Sequence, residues 1–524
     1  MAFARVACRG QVGLEAPLVA VEVSLTPGLP VFSLVGLPAM VVRESKERVR
    51  AALLNSHFEV PAGHITVNLA PADLPKEGGR FDLPIALSVL LASGQLEARG
   101  AAARTLAASE FYGELGLTGE LKPARALLPA AAAARRAGHA LIVPRANAAE
   151  ASAVAPSLVH PAEHLLEVCA HVSGRKPLLP AAPAGAFAEP ESRQLPPDLA
   201  DVRGQLYAKR ALTIAAAGAH GLLFIGPRGC GKSMLAQRLP SLLPPLTAPE
   251  ALEVAAIASV SGAGFCGTAL TLRPFRSPHH GTTTAALIGG GARARPGEIS
   301  LAHQGVLFLD ELPEFARPVL EALREPLETG VVDVARAALH AHYPAAFQLV
   351  AAMNPCPCGR LGDPGTDCDC TPAQVRRYRA GVSGPLLDRL DLQVEMGPVA
   401  AGEFDVAASG AEASAAAAAR VRRARAVQLE RQGVCNARLA DAELPRCCAL
   451  DVPGQRFLAM AVQRLGLSAR ARQRVLRVAR TIADLDGRPT IAVPQLSQAV
   501  MLRCLDRAAP AAIAPSAPCD RRPA

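Results

Sequence analysis

The sequence has little aromatic character and no long apolar run. It contains no tryptophan, and aromatic residues make up only 3% of its 524 positions. A membrane-spanning helix needs about 18 uninterrupted apolar residues, whereas Gly94, Gln95 and His220 interrupt the longest apolar segments. The first five residues also lack the charged start and apolar core of a secretory signal. We therefore expect a cytoplasmic protein with no membrane partner.

A disulfide framework and an extreme charge bias are also missing. The 13 cysteines are odd in number and scattered, which in a cytosolic chain indicates reduced thiols. Glycine and proline together make up about 17% of the chain, below the range typical of disordered segments. The net charge of +9 permits nucleic-acid binding but does not establish it. We expect a globular chain of roughly three or four domains.

A glycine-rich loop is the most informative motif. It fits the G-x-x-x-x-G-K-[S/T] pattern without mismatch and consists of Gly226, Pro227, Arg228, Gly229, Cys230, Gly231, Lys232 and Ser233. Residues 222–225 are typical of a buried strand, and residues 234–239 of a helix that stops near Pro240. In such a setting Lys232 neutralises the β- and γ-phosphates, and Ser233 offers its hydroxyl to Mg²⁺. A turn that merely caps a helix does not account for this context, so the motif predicts binding of a nucleoside triphosphate.

A second motif indicates that the nucleotide is hydrolysed. Residues 306–309 form an apolar run that ends in Asp310 and Glu311. Asp310 can hold the hydration shell of Mg²⁺, and Glu311 can orient or deprotonate the attacking water. Many buried strands run into acidic loops, so the motif gains its meaning from following the phosphate loop. Together the two motifs predict a Mg²⁺-dependent ATPase.

Composition and periodicity divide the chain into five segments. Residues 1–172 alternate strand-like and helix-like stretches, 173–197 form a Pro/Ala/Ser-rich linker, and 198–397 carry the nucleotide motifs. Residues 398–508 are helical in pattern, and the tail 509–524 is expected to be disordered. Strands are expected at 20–25 and 64–69, and helices at 44–54, 83–91, 415–431, 455–465, 469–485 and 493–507.

Longer motifs carry a family resemblance. They lie at residues 201–205, 208–212, 296–303, 354–359 and 383–392. With them, the central module resembles an AAA+ ATPase, and the chain from about residue 1 to 508 resembles the magnesium-chelatase-like AAA+ family of YifB and competence protein ComM. The resemblance implies an α/β fold with a P-loop AAA+ core, a parallel sheet and a helical lid. It also implies a homo-hexameric ring.

The resemblance assigns three further residues to catalysis. Asn354 matches sensor 1, Arg389 matches the arginine finger that acts on a neighbouring subunit, and Arg470 matches sensor 2 in the lid. Arg472 and Arg474 compete with Arg470 for that role, and solvated surface charges remain the alternative for each arginine. The roles fit the chemistry, because phosphoryl transfer depends on positioning and on positive charge around the γ-phosphate.

The amino-terminal segment resembles the proteolytic domain of Lon-type proteases at residues 68–78 and 113–121. Such proteases need a serine nucleophile and a lysine base. Arg80 and Ala130 stand near those two positions. The resemblance therefore implies a Lon-like α/β fold without peptide hydrolysis.

Four cysteines form a candidate zinc site. Two C-x-C pairs, Cys356 with Cys358 and Cys368 with Cys370, flank a loop of turn-forming residues. Four thiolates match a tetrahedral structural Zn²⁺ site, although C-x₂-C is the usual spacing. Free thiols or redox pairs remain the alternative.

Basic inserts suggest a polymer substrate. Residues 273–281 and 289–295 lie between the two nucleotide motifs, and 329–336 are expected to form a β-hairpin tipped at Gly330. In ring ATPases such inserts project into the pore, where arginines can follow a phosphate backbone without reading sequence. The candidate DNA contacts are Arg293, Arg295 and Arg336. Solvated loop charges are the alternative, and the scarcity of aromatics weakens base stacking as a grip.

Two functions remain in competition. ComM-like members of the family are hexameric helicases for branch migration during natural transformation, so the first expectation is a motor on single-stranded or branched DNA. The second is a protein-remodelling ATPase like the magnesium chelatase subunit. An ATP-dependent protease is disfavoured by Arg80 and Ala130.

Overall fold

The computed structural model describes residues 2–37, 39–182, 197–262, 272–291, 294–336, 339–398 and 412–506. The expected disordered tail, most of the expected linker and Arg293 lie outside the described residues. The strands are β1 Ala2–Arg9, β2 Leu18–Thr26, β3 Val31–Val35, β4 His64–Ala70, β5 Ser109–Phe111, β6 Glu114–Leu115, β7 Leu121–Lys122, β8 Ala140–Pro144, β9 Val159–Ala162, β10 Leu222–Ile225, β11 Phe275–Arg276, β12 Gly289–Gly290, β13 Arg295–Pro296, β14 Val306–Leu309, β15 Val331–Arg336, β16 Leu339–Pro344, β17 Gln348–Met353 and β18 Leu392–Glu395.

The α-helices are Met40–Arg43, Ser45–Asn55, Asp82–Ala92, Ala101–Ala107, Leu127–Ala137, Ala148–Ser152, Leu165–Val172, Leu206–Gly218, Lys232–Ala236, Leu239–Leu242, Ala248–Ser261, Thr284–Ile288, Glu298–Leu301, Arg317–Glu321, Arg324–Thr329, Pro372–Arg379, Gly384–Leu387, Ser414–Gln432, Leu444–Cys447, Val452–Leu465, Ala469–Leu485 and Val493–Met501. Within the described residues, none of these helices is both long and apolar enough to cross a bilayer.

The amino-terminal segment is built on a seven-stranded sheet in the order β3-β4-β2-β1-β5-β8-β9. β1 and β2 pair antiparallel along their whole length, from Ala2 opposite Leu25 to Arg9 opposite Leu18. The helix Asp82–Ala92 packs on these two strands and is buried almost throughout, because it is apolar on nearly every face.

The nucleotide motifs lie on a five-stranded sheet in the order β11-β14-β17-β10-β18. Every neighbouring pair in it is parallel. β10, β14 and β17 are buried at every position, as expected for strands covered on both faces. Because parallel strands end at one edge, the residues that follow these three neighbours come together. The α/β class with a parallel core sheet is confirmed.

Helices from 414 onward form the lid. Ser414–Gln432 and Ala469–Leu485 both pack on the helix Leu206–Gly218, which joins them to the sheet. We call Ala469–Leu485 the lid helix; its start is capped by the Ser468 hydroxyl, which accepts a hydrogen bond from the Ala471 amide at 3.1 Å. The helical C-terminal region expected from the sequence is confirmed, and the lid helix has the predicted bounds.

A buried polar network ties the lid to the sheet. Within it, the two ring nitrogens of His220 lie 2.8 Å from Asp391 Oδ2 and 2.8 Å from Thr481 Oγ1. Arg474 of the lid helix forms an ion pair with the same Asp391. Hydrogen bonding to His220 and the charge of Arg474 outweigh burial and hold the pKa of Asp391 well below its usual range.

Two local predictions are wrong, and the helix expected at 493–507 already ends at Met501. The helix expected at 234–239 is Lys232–Ala236, and a second helix, Leu239–Leu242, begins there because Pro240 is tolerated in a first helical turn. Gly330 does not form the hairpin tip: with φ +71° it ends the helix Arg324–Thr329. The strands β15 and β16 pair from Val331 opposite Pro344 to Arg336 opposite Leu339, so the turn lies beyond Arg336. We call β15 and β16 the hairpin.

Candidate functional site

The phosphate loop joins β10 to the helix Lys232–Ala236 at the carboxyl edge of the sheet. Gly231, the residue before that helix, has φ +92°, a conformation that favours glycine and turns the chain into the helix. At the same edge Asn354 follows β17, the neighbour of β10, and Asp310 follows β14, the next strand in the sheet. The structure therefore brings together the phosphate loop, the acidic pair and the sensor 1 candidate predicted from the sequence.

Lys232 lies at the centre of this group. Its Nζ donates to the carbonyl oxygens of Gly226 at 2.7 Å and Pro227 at 2.8 Å, and to Asn354 Oδ1 at 3.2 Å. The lysine is only 8% exposed, and burial lowers its pKa. A cation held among neutral oxygens in this way is well placed to meet phosphate groups.

The donor set beside it fits Mg²⁺. The Ser233 hydroxyl donates to Asp310 Oδ2 at 2.5 Å, so two hard oxygen ligands lie side by side next to the phosphate loop. Glu311 has a left-handed backbone with φ +53°, unusual for a residue other than glycine and often found at functional sites. β11, the neighbour of β14, ends at the same edge of the sheet and is followed by His280. The Nδ1 atom of His280 lies 3.3 Å from Glu311 Oε2.

His280 is a site residue whose position the sequence reasoning missed. It was included in an insert expected to project toward a pore, yet it follows β11, which pairs with β14. Its ring lies 4.0 Å from that of His279 and edge-on to Phe315 at 6.5 Å, measured between centroids. The short strand β11 was the missing signal, because it places His280 at the same sheet edge as Glu311.

The candidate arginine finger does not contact this site in its own chain. Among the described contacts, Arg389 donates to the Pro385 carbonyl at 2.7 Å and forms an ion pair with Glu328. Burial lowers the pKa of Arg389, and the nearby charges of Arg470 and Arg474 act in the same direction. Arg470 is exposed at the start of the lid helix, whereas Arg474 is paired with Asp391. This pairing favours Arg470 over Arg474 for sensor 2.

The four predicted cysteines converge. The sulfur atoms of Cys356, Cys358, Cys368 and Cys370 all lie within 4.8 Å of one another. Cys356 Sγ lies 3.4 Å from Cys358 Sγ and 3.6 Å from Cys368 Sγ. Sulfur atoms at about 2.3 Å from one tetrahedral Zn²⁺ are about 3.8 Å apart, so the cluster fits this metal. A hydrogen bond from the Arg360 amide lowers the pKa of the Cys358 thiol to about 6.

This cysteine cluster is connected to the phosphate loop. The Arg228 amide donates to the Gly359 carbonyl at 3.3 Å. The Arg228 side chain fills the space where a Cβ at Gly359 would lie, only 2.8 Å from Arg228 Cγ. Because Gly359 stands between the cysteine pairs, ordering of the cluster positions one side of the phosphate loop.

Comparisons with known proteins agree with this site. Three family models match: "Magnesium chelatase, subunit ChlI" at residues 198–404, "Subunit ChlI of Mg-chelatase" at 21–147, and "Magnesium chelatase, subunit ChlI C-terminal" at 411–503. Competence protein ComM of Haemophilus influenzae is 47% identical over 508 residues, which cover 97% of this chain and 98% of that protein. The uncharacterized protein YifB of Escherichia coli is 46% identical, with the same coverage of both chains.

The chain belongs to the magnesium-chelatase-like ComM/YifB family. Its AAA+ character implies ATP and Mg²⁺ as ligands, in agreement with Lys232, Ser233 and Asp310 as they lie in the structure. Similarity to a chelatase itself is more limited, since the magnesium-chelatase 38 kDa subunit of Rhodobacter capsulatus is 29% identical over 29% of this chain and 48% of its own length.

Of the three DNA-contact candidates, the structure describes the side chain of Arg295. Arg293 and the side chain of Arg336 lie outside the described residues, although the backbone of Arg336 closes β15. Arg295 is exposed and lines a cavity of about 320 Å³ together with Arg80 and Arg125 of the amino-terminal segment. The hairpin also carries three exposed polar residues, namely Asp333, His340 and His342.

Arg80 lies where a Lon-type nucleophile was expected. Its guanidinium is buried and donates to Gln11 Oε1 at 3.2 Å and to the Arg125 carbonyl at 2.5 Å. Ala130 is buried in the helix Leu127–Ala137. The two residues serve packing and hydrogen bonding in this family member, and the loss of peptidase chemistry stays a prediction.

Proposed function

We propose that the chain is an ATP-hydrolysing ring motor that translocates on DNA and promotes branch migration in recombination during natural transformation. The observation that carries the proposal is a nucleotide site assembled at three adjacent strand ends, in a chain that matches Competence protein ComM over 97% of its length. The same proposal includes a cytoplasmic location, where ATP and reduced thiols occur together.

Each residue of the nucleotide site has a role in this proposal. The phosphate loop and Lys232 bind the triphosphate, while Ser233 and Asp310 hold Mg²⁺, which spreads the charge developing on the phosphates. Glu311 orients and deprotonates the attacking water, and Asn354, which accepts from Lys232, contacts the γ-phosphate or that water.

A homo-hexameric ring completes the site. Arg389 contacts Pro385 and Glu328 in the single chain, and in the ring it acts on the nucleotide of the next subunit rather than on its own. Arg470 approaches from the lid within the subunit. We divide the chain into a Lon-like domain (1–172), a linker (173–197), an AAA+ core (198–397), a lid (398–508) and a tail (509–524).

DNA is the proposed substrate of the ring. The net charge of +9 and the candidates Arg293, Arg295 and Arg336 support sequence-independent binding through phosphates of single-stranded or branched DNA. The scarcity of aromatic residues favours phosphate contacts over base stacking. A structural Zn²⁺ held by the cysteine cluster would keep the loop after Asn354 in place.

A chelatase-like protein remodeller is the second candidate. Its support is the match of the magnesium chelatase family models to the core, 198–404, and the lid, 411–503. The chelatase subunits of Heliobacterium mobile and Rhodobacter capsulatus match 38% and 29% of the chain, whereas Competence protein ComM matches 97% of it. The DNA motor is therefore the stronger proposal.

The experiment measures ATP hydrolysis and junction movement by the full chain with a single-stranded oligonucleotide and a four-way junction. We expect DNA to stimulate hydrolysis, and the junction to move with ATP but not with a non-hydrolysable analogue. Replacing Arg293, Arg295 and Arg336 with Ala should remove the stimulation but retain basal hydrolysis. A matched double variant, Arg422→Ala with Arg423→Ala on an exposed helix face, should behave as the wild type.

Salt dependence gives a second readout. Each phosphate contact contributes about −0.9 to the slope of log affinity against log salt, so the triple variant should show a shallower slope. DNA that neither binds at low salt nor changes the hydrolysis rate would contradict the motor. Stimulation by unfolded polypeptides instead would favour the remodeller.

A further inference from the structure

Glu328 and Arg389 connect the hairpin to the candidate arginine finger. Glu328 lies in the last turn of the helix Arg324–Thr329, three residues before β15 begins. It forms an ion pair with Arg389, whose side chain is 10% exposed, whereas that of Glu328 is 60% exposed. The negative charge that balances Arg389 therefore comes from Glu328, in the helix that precedes the hairpin.

Two backbone hydrogen bonds lie at the junction between this helix and the hairpin. The Gly330 amide donates to the Pro326 carbonyl at 2.9 Å, and the Ala345 amide donates to the Gly330 carbonyl at 2.7 Å. These bonds attach the helix end to both strands of the hairpin. A displacement of β15 and β16 would therefore move Glu328 as well, because Glu328 lies only two residues before Gly330.

In the part of the chain that the structure describes, the guanidinium of Arg389 has only some of its hydrogen bonds made and only one carboxylate to balance its charge. Its Nε is buried without a hydrogen-bond partner among the described residues, and the charges of Arg324, Arg470 and Arg474 oppose its own. Arg324 and Arg474 have other acidic partners, Glu321 and Asp391. Glu328 is therefore the carboxylate that balances Arg389 in this cluster.

A neutralised guanidinium is a weak arginine finger. Such a residue acts by presenting positive charge to the developing negative charge of the γ-phosphate. A carboxylate paired with it competes directly with that phosphate. The Glu328 side chain is 60% exposed, so water can solvate its carboxylate when the pair opens.

We infer that Glu328 is a positioning residue: it holds Arg389 in a charge-balanced conformation and releases it toward the neighbouring nucleotide when the hairpin moves. This inference rests on the proposed function for the role of Arg389 and for the polymer that displaces the hairpin. Through the Glu328–Arg389 pair, a polymer that displaces the hairpin of one subunit controls hydrolysis in the next subunit.

The test compares Glu328→Gln, Glu328→Asp and the matched control Glu325→Gln, which lies on the same helix and is exposed. We measure kcat and KM for ATP in the full chain, with and without oligo(dT). Glu328→Gln should raise basal kcat about two- to five-fold, the range set by losing a weak ion pair, with KM unchanged and the stimulation by DNA reduced by the same factor. Glu328→Asp and Glu325→Gln should remain near the wild type.

A basal kcat of Glu328→Gln at or below the wild-type value would overturn the inference, as would an equal rise in Glu325→Gln. The thermal unfolding midpoint should not change, and a fall in both midpoint and rate would assign Glu328 a structural role instead. If oligo(dT) has no effect on the wild type, the DNA motor fails, yet the basal comparison still decides the role of Glu328.

Discussion

Ser233 donates its hydroxyl hydrogen to Asp310 at 2.5 Å, joining the first turn of the helix after the phosphate loop to the end of β14. The contact is between two elements that are not neighbours in the sheet, since β17 lies between β10 and β14. Both oxygens face the position where the phosphates of a nucleotide meet its metal ion in P-loop ATPases. This hydrogen bond therefore marks the Mg²⁺ position that we propose for this site.

Lys232→Ala and Glu311→Gln should both abolish hydrolysis, but for different reasons. Lys232→Ala removes the cation that binds the phosphates, so ATP affinity should fall. Glu311→Gln retains the site and loses the base, so turnover should fall by about 100-fold or more with ATP binding retained. Isothermal titration and a phosphate-release assay separate the two, and wild-type turnover in Glu311→Gln would remove Glu311 from water activation.

His280→Ala should lower kcat by about ten-fold and leave KM for ATP unchanged, because His280 holds the Glu311 carboxylate and touches no residue of the phosphate loop in the described contacts. The effect should be smaller than that of Glu311→Gln, as expected for a positioning group. His57→Ala, in the amino-terminal segment, is the control. A raised KM with normal kcat would instead place His280 on the nucleotide.

Arg389→Ala should assemble normally and lose hydrolysis, because the charge it supplies belongs to the next subunit's site. Mixing it with Lys232→Ala should restore part of the activity, since mixed rings contain interfaces with Lys232 on one side and Arg389 on the other. Sedimentation confirms assembly in each mixture. Rings of normal size without any recovery would argue against action between subunits.

About one Zn²⁺ per chain should be bound by Cys356, Cys358, Cys368 and Cys370. Elemental analysis of anaerobically purified protein checks the count, and Cys358→Ser should lower it while Cys435→Ser should not. Removing the metal should also weaken ATP binding, since Gly359 positions Arg228 in the phosphate loop. Protein that contains no metal would show that the cluster holds free thiols.

Asp391→Asn should lower the free energy of unfolding by about 3 kcal/mol, because it breaks a buried charge network. Asp486→Asn, which affects the more exposed pair with Arg210, should cost under about 1 kcal/mol. The folded pKa of Asp391 is depressed, so its stabilisation is present above the unfolded carboxyl pKa of about 4. It is lost as pH falls further. Thermal melts from pH 7 to 3 check this, and equal losses in both variants would contradict it.

Much of the nucleotide site can be predicted from the sequence because its parts are short and local. The residues 226–233 define the phosphate loop by spacing alone, the apolar run that ends in Asp310 defines a strand end, and the family resemblance supplies Asn354. The lid helix 469–485 also has the bounds predicted from its helical pattern, and in the structure Ser468 caps its start. In each case the information lies within about 20 consecutive residues.

Only the tertiary structure decided which distant groups meet. His280 follows a strand of two residues, too short to be recognised, and reaches Glu311 only through the order of strands in the sheet. The sequence predicts the hairpin turn at the wrong residue, because a glycine can end a helix as readily as it can form the turn of a hairpin. The pair Glu328–Arg389 joins residues that no local pattern relates. Sequence periodicity reports which faces are buried, whereas such contacts depend on how whole elements pack against one another.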